Sequence, residues 1–231
     1  MSVLLDYPDF DTLMMGLAKI VAKQLMQCLA KKGCATLAVP GGTTPAPFLE
    51  RLSLIQMDWA HVTVLLTDER IEPSDPFRSN FRMIEHYLSQ NASAKAQLLP
   101  MGTVDQGADI VLAETDVLYK PHLPIDVLVL GMGTDMHTAS LFPDAPELQA
   151  ALAPNAPPLM VISSDSQPEQ RLTMTAPVLS AAENIHLLIA GPEKLASYIE
   201  AEEGKGTVAQ APVRCVLHGG NTVLVHHTLG K

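Results

Sequence analysis

The stretch "IDVLVLGMGTDMHTASLFPD", Ile125 to Asp144, decides the fold. It opens with an apolar run, Ile125 to Gly131, interrupted only by Asp126. A run of that size reads as a strand covered on both faces, as in parallel sheets. Gly131, Gly133, Asp135 and His137 then crowd the point where the strand should end, before a new apolar pair at Leu141 and Phe142. Open α/β sheets bind ligands beyond the carboxyl ends of their strands. An imidazole at that point is a candidate for chemistry, with an ordinary loop histidine as the alternative.

The same alternation extends outward in both directions. Upstream, Leu13, Leu17, Ile20, Val21, Leu25 and Cys28 recur at helical spacing, with Gly33 placed to stop the helix. "CATLAV" and "HVTVLLT" read as strands, and "PAPFLERLS", "FRMIEHYLSQ" and "ADIVLAETDVLY" as helices. Downstream, "PLMVIS", "NIHLLIAG" and "TVLVH" read as further strands and "PEKLASYIEA" as a helix. Strands alternating with helices predict an α/β fold: a doubly wound, mostly parallel sheet with helices on both faces, Rossmann-like, in a single domain over residues 1–231.

Composition excludes several classes. The chain has 231 residues, 47% of them hydrophobic, which supplies a full core. Its opening, "MSVLLDYPDFD", carries acids where a signal peptide carries basic residues, and no apolar run approaches the ~18 residues of a membrane span. The expectation is a soluble cytoplasmic protein with no membrane partner. Cys28, Cys34 and Cys215 share no Cys-x-x-Cys spacing, so buried thiols are expected rather than disulfides or a thiolate metal site. A net charge of −10 repels nucleic acid and anionic lipid. A small anion remains open, because local cations and amides can outvote a distant field.

Several short motifs fit such an anion. In "VPGGTTP", Gly41 and Gly42 let the backbone approach a ligand, Thr43 and Thr44 add hydroxyls, and the next helix offers free N–H groups. Thr44 is expected to cap that helix, with Pro45 and Pro47 in its first turn. In "GPEK", Lys194 lies in a helix's first turn, opposing the dipole at about 0.3–1 kcal/mol, a penalty that a bound anion reverses. "TDER" sends Asp68 and Arg70 the same way after a strand, and Arg171 opens a possible strand, "RLTMT". Arg78 is either one more such cation or a rim charge. "GMGTDM" is half a dinucleotide fingerprint, with Met136 where glycine or alanine belongs. No Walker A loop, Gly-x-Ser-x-Gly elbow or His-x-x-x-His is present, and His226 and His227 would face opposite sides of a strand, so no metal site is expected.

Taken in order, "VPGGTTP", "TDER…PSDPFRSN", "GMGTDMHTASLFPD", "RLTMT" and "GPEK" resemble the 6-phosphogluconolactonase family over nearly the whole chain. That family shares its fold with glucosamine-6-phosphate isomerase/deaminases, but the Asn-Glu that the deaminases carry after the histidine is missing. Departures from the family pattern are Pro40 in place of serine and Met136 in place of glycine. The resemblance implies hydrolysis of 6-phospho-D-glucono-1,5-lactone in the oxidative pentose phosphate pathway, without metal or organic cofactor, by a monomer or homodimer. It implies His137 as the base that activates water, with Asp135 or Asp68 holding the imidazole. Arg70 or backbone amides of the 131–137 loop would stabilise the oxyanion. Gly41, Gly42, Thr43, Thr44, Arg171 and Lys194 would anchor the phosphate. A hexosamine-phosphate isomerase/deaminase and a non-catalytic sugar-phosphate sensor are the alternatives.

Overall fold

The computed structural model describes residues 1–71, 78–102 and 107–230; residues 73–77 of the "PSDPFRSN" motif lie outside them. The first periodic segment forms α1 (Phe10–Lys32), which buries Leu13, Leu17, Val21, Leu25 and Cys28. Asp9 caps it through the Thr12 N–H at 2.7 Å, and Gly33 ends it in the left-handed region. By length and composition α1 could cross a bilayer, which reading apolar runs alone missed. In this fold its apolar stripe faces the core, while Lys19 and Lys23 are exposed on the other side.

The strands are β1 (Ser2–Asp6), β2 (Ala35–Val39), β3 (Val62–Leu66), β4 (Asp68–Arg70), β5 (Gln97–Leu98), β6 (Val127–Gly131), β7 (Leu159–Ile162), β8 (Arg171–Met174), β9 (Asn184–Ala190) and β10 (Val223–Thr228). Seven form one sheet in the order β1-β10-β9-β6-β2-β3-β5, with every neighbouring pair parallel. Each residue of β2 and β3 is buried, and successive side chains face opposite sides, so both faces of the sheet are covered. From β2 the chain builds outward through β3 and β5. It then returns to β6 on the other flank and builds through β9 and β10. The switch point is therefore the seam between β2 and β6, where Leu37 pairs with Val127 and Ala38 with Leu128.

The remaining helices are α2 (Ala46–Ser53), α3 (Asn80–Leu88), α4 (Ala108–Tyr119), α5 (Leu148–Leu152), α6 (Ala176–Ser180), α7 (Pro192–Glu202) and α8 (Arg214–Leu217). Three sequence expectations need correction. "PLMVIS" forms β7, but β7 belongs to a separate antiparallel sheet, β4-β8-β7, in which three-residue β4 was too short to show a pattern. Thr44 does not cap α2: Pro45 occupies the N-cap position, already near helical at φ −79°, and no side chain caps that end. Cys34 is exposed rather than buried, because it sits in the link between the α1 cap and β2.

One polar chain crosses the core. Gln24 Oε1 can only accept, so His186 Nε2 donates to it at 2.7 Å and leaves His186 Nδ1 as an acceptor. His226 Nε2 then donates to His186 Nδ1 at 3.0 Å, and Tyr7 Oη donates to His226 Nδ1 at 3.0 Å. Both rings are fully buried without a counter-charge in contact. Burial pushes His186 down to about 3, with His226 adding to the effect, and pushes His226 down to about 4. His227, on the opposite face of β10, bonds Asp6 at 2.8 Å instead.

Candidate active site

The carboxyl ends of β2 and β6 open onto a cavity of about 380 Å³. All the catalytic and phosphate-anchoring residues expected from the sequence line it except Asp135: Gly41 to Thr44 after β2, Asp68 and Arg70 on β4, His137 after β6, Arg171 on β8 and Lys194 on α7. Asp135 stands behind His137, with Oδ1 2.6 Å from the ring Nδ1. That hydrogen bond fixes the tautomer, leaving Nε2 as the proton acceptor. Of the two carboxylates left open by the sequence, Asp135 is therefore the one that holds the imidazole. Asp68 accepts instead from Ser140 Oγ at 2.7 Å and Thr67 Oγ1 at 3.1 Å. Partial burial pushes the Asp135 carboxyl up, but the His137 hydrogen bond and the attraction to its ring outweigh this and hold it below the usual range.

The loop that presents His137 is tightly wound. The Gly133 N–H donates to the His137 carbonyl and the Met136 N–H to the Gly133 carbonyl, both at 3.0 Å. A Cβ on Gly133 would lie 2.3 Å from both Asp135 Oδ1 and His137 Nδ1, so the pair can stack only over a glycine. Met136 sits at φ +63° and Ala139 at φ +48°, left-handed conformations that cost a side chain about 1–2 kcal/mol. Ser197 on α7 holds the loop from outside by donating to the Thr134 carbonyl at 2.9 Å.

Cations gather across the cavity. In the small sheet Arg70 lies directly opposite Arg171, and like charges in that relation repel. Arg171 is 4% exposed. Burial, and then the Arg70 charge, lower its pKa below the ordinary guanidinium value. The Arg171 Nη2 donates to Gln167 at 2.6 Å, while the Nε atoms of Arg70 and Arg171 are buried without a partner among the described residues. Two opposed, partly unsatisfied guanidinium groups are arranged for a bound anion. Arg78 is not among the lining residues and is held bidentately by Glu169 at 2.7 and 2.9 Å.

The other wall supplies backbone donors. Among the described residues, the N–H groups of Gly41 to Thr44 have no acceptor in the protein. Gly191 caps α7 and Pro192 follows it, which puts Lys194 in the first turn as expected. Sequence reading missed Asn80 and Gln167 as lining residues. A buried asparagine in the first turn of α3, where its helix propensity is poor, was the available signal for Asn80; Gln167 had none. At the opposite, amino-terminal end of β6, Cys28, Asp126 and Glu183 bring their ligand atoms within 4.8 Å of one another. Asp126 is already held there by Lys32 at 2.6 Å and the Thr36 N–H at 2.7 Å.

The chain matches the family model described as glucosamine-6-phosphate isomerases/6-phosphogluconolactonase over residues 8–225. It is 40% identical over 211 residues to the 6-phosphogluconolactonase of Pseudomonas putida, covering 91% of this chain and 87% of that protein. A Pseudomonas aeruginosa 6-phosphogluconolactonase is 39% identical over 213 residues, covering 90% of this chain and 88% of that one. The crystal structure of a 6-phosphogluconolactonase from Shewanella baltica OS155 is similar with a TM-score of 0.92 at 30% identity, covering 99% of this chain and 98% of the other.

Proposed function

The chain belongs to the glucosamine-6-phosphate isomerase/6-phosphogluconolactonase family, and on that premise we propose that it hydrolyses 6-phospho-D-glucono-1,5-lactone to 6-phosphogluconate through a water activated by His137. The reaction belongs to the oxidative pentose phosphate pathway, and we place it in the cytoplasm with the whole chain acting as one domain. The observation that carries the site assignment is the tautomer-fixed His137 facing two opposed arginines across one cavity.

His137 Nε2 takes a proton from water as the oxygen attacks the lactone carbonyl. Asp135 stabilises the imidazolium that forms. The tetrahedral oxyanion needs donors. The Gly133, Met136 and His137 N–H groups are already spent within the loop, and we assign the role to Arg70, the cation that lines the cavity on β4. Collapse breaks the ring C–O bond, and the imidazolium returns its proton to the departing alkoxide. Arg171, Lys194 and the N–H groups of Gly41 to Thr44 hold the phosphate.

The test is hydrolysis of freshly generated lactone with the spontaneous rate subtracted. Acceleration is expected, and none would overturn the reading. Arg171→Ala and Lys194→Ala should each raise KM for the phosphorylated lactone by the worth of a charge-assisted bond, roughly 1.5–3 kcal/mol. Unphosphorylated gluconolactone should be a poor substrate for wild type and variants alike. An equal loss on both substrates would remove these residues from the phosphate anchor.

A further inference from the structure

Resting on that hydrolase reading, we propose that Asn80 is the positioning residue for Arg70, a single buried amide at which three walls of the cavity meet. Asn80 is 3% exposed. Its Nδ2 donates to the Asp68 carbonyl at 2.8 Å, and its Oδ1 accepts from Arg70 Nη1 at 3.0 Å. The same Arg70 nitrogen donates to the Arg78 carbonyl. From the third side the glycine loop closes in: a Cβ on Gly41 would fall 1.8 Å from Asn80 Oδ1. The loop after β2, the start of β4 and the Arg70 guanidinium thus all touch this amide.

The amide is itself pinned. The buried Glu69 carboxylate accepts from the N–H groups of Arg70 at 2.8 Å, Asn80 at 2.8 Å and Phe81 at 2.7 Å, and from Ser79 Oγ at 3.0 Å. It therefore bolts the first turn of α3 to β4. The clamp has a force to oppose, since Arg171 lies directly opposite Arg70 and the two like charges repel. An asparagine suits the task because it accepts from Arg70 without neutralising it, so the charge stays available to substrate. The clamp engages only Nη1, so the rest of the cavity-lining guanidinium is left for an incoming oxygen.

The experiment is a pair of double-mutant cycles on intact protein, read by kcat/KM on the lactone and by calorimetric affinity for 6-phosphogluconate. Asn80→Ala should lower kcat/KM by about 10²-fold, the cost of a small misplacement of a reacting group. On the Arg70→Ala background the same change should cost less than about threefold, since the group that Asn80 holds is gone. Gly41→Ala should act like Asn80→Ala alone and add little to it, because the three atoms nearest its Cβ all belong to the missing amide. Independent, multiplying losses would overturn the proposal, as would a lowered Tm with wild-type kinetics. Should Asn80→Ala not fold, Asn80→Ser, too short to reach Arg70, gives the same readings. A wild type that binds product but does not accelerate hydrolysis would sink the hydrolase reading, and the affinity cycles would still decide the role of Asn80.

Discussion

His137 stands at the carboxyl end of β6 with a carboxylate 2.6 Å from its Nδ1, lining an open cavity. His186 and His226 lie on β9 and β10, one and two strands along the same sheet, and touch each other, Tyr7 and Gln24. The first imidazole has a place for the positive charge it acquires on taking a proton. The second pair has none, and burial keeps both rings neutral. An imidazole becomes a base through what its far nitrogen touches, and the sheet shows both outcomes within a few residues.

The sharpest way to break this contrast is to remove the first ring. His137→Ala or His137→Asn should lower kcat by about 10²–10⁴, the usual contribution of a positioned general base, with product affinity retained. Near-wild-type turnover by a folded variant would end its role. Asp135→Asn keeps an acceptor but loses the charge that stabilises the imidazolium, so kcat should fall by up to about 10⁴-fold while KM stays close to wild type. Unchanged kcat would reduce Asp135 to loop structure.

The buried pair should respond in the opposite sense. His186→Leu strands His226 Nε2 and Gln24 Oε1, at about 1–3 kcal/mol for each orphaned group, and should lower Tm while leaving kcat intact. The wild type should also be acid-labile. Below pH 6.5 the unfolded chain protonates both histidines, whereas the folded chain does not until about pH 4 for His226 and about pH 3 for His186. Unfolding free energy should therefore fall as pH drops from 6.5 toward 4, by about 1.4 kcal/mol per pH unit for each histidine, and this contribution is constant above that window. Urea titrations in which His186→Leu has the same pH slope as wild type would disprove it. Met136→Gly is the smallest test. Relief of the left-handed strain at φ +63° is partly offset by the entropy of a new glycine, for a net gain of roughly 0.5 kcal/mol with kcat changed only modestly. A loss of stability would show that the partly buried Met136 side chain outweighs its backbone strain.

What could be read from the sequence divides along the same line. The strands that build the cavity floor are continuous apolar runs, and Gly33, Gly191 and Pro192 punctuate helices where expected. The ordered motifs therefore marked nearly every lining residue. β1 escaped notice because, as an edge strand, it exposes Val3 and Leu4 and carries no clean alternation. β4 is three residues long and its pairing with β8 is non-local, so the opposition of Arg70 and Arg171 could not be foreseen. The Tyr7–His226–His186–Gln24 chain joins α1, β9, β10 and the link after β1, and within β9 and β10 its histidines look like any polar interruption of an apolar run.

The seam between β2 and β6 has a consequence for the birth of the protein. It joins Leu37 to Val127 across helices α2, α3 and α4 and strands β3, β4 and β5, so closing it carries a large loop entropy. A chain emerging from the ribosome has its glycine loop early and its base midway, yet Arg171 and Lys194 are still unmade when His137 appears. Anion binding therefore cannot assist the early stages of folding. Until most of the polypeptide is synthesised, the half-built sheet must be held together by its apolar strands alone.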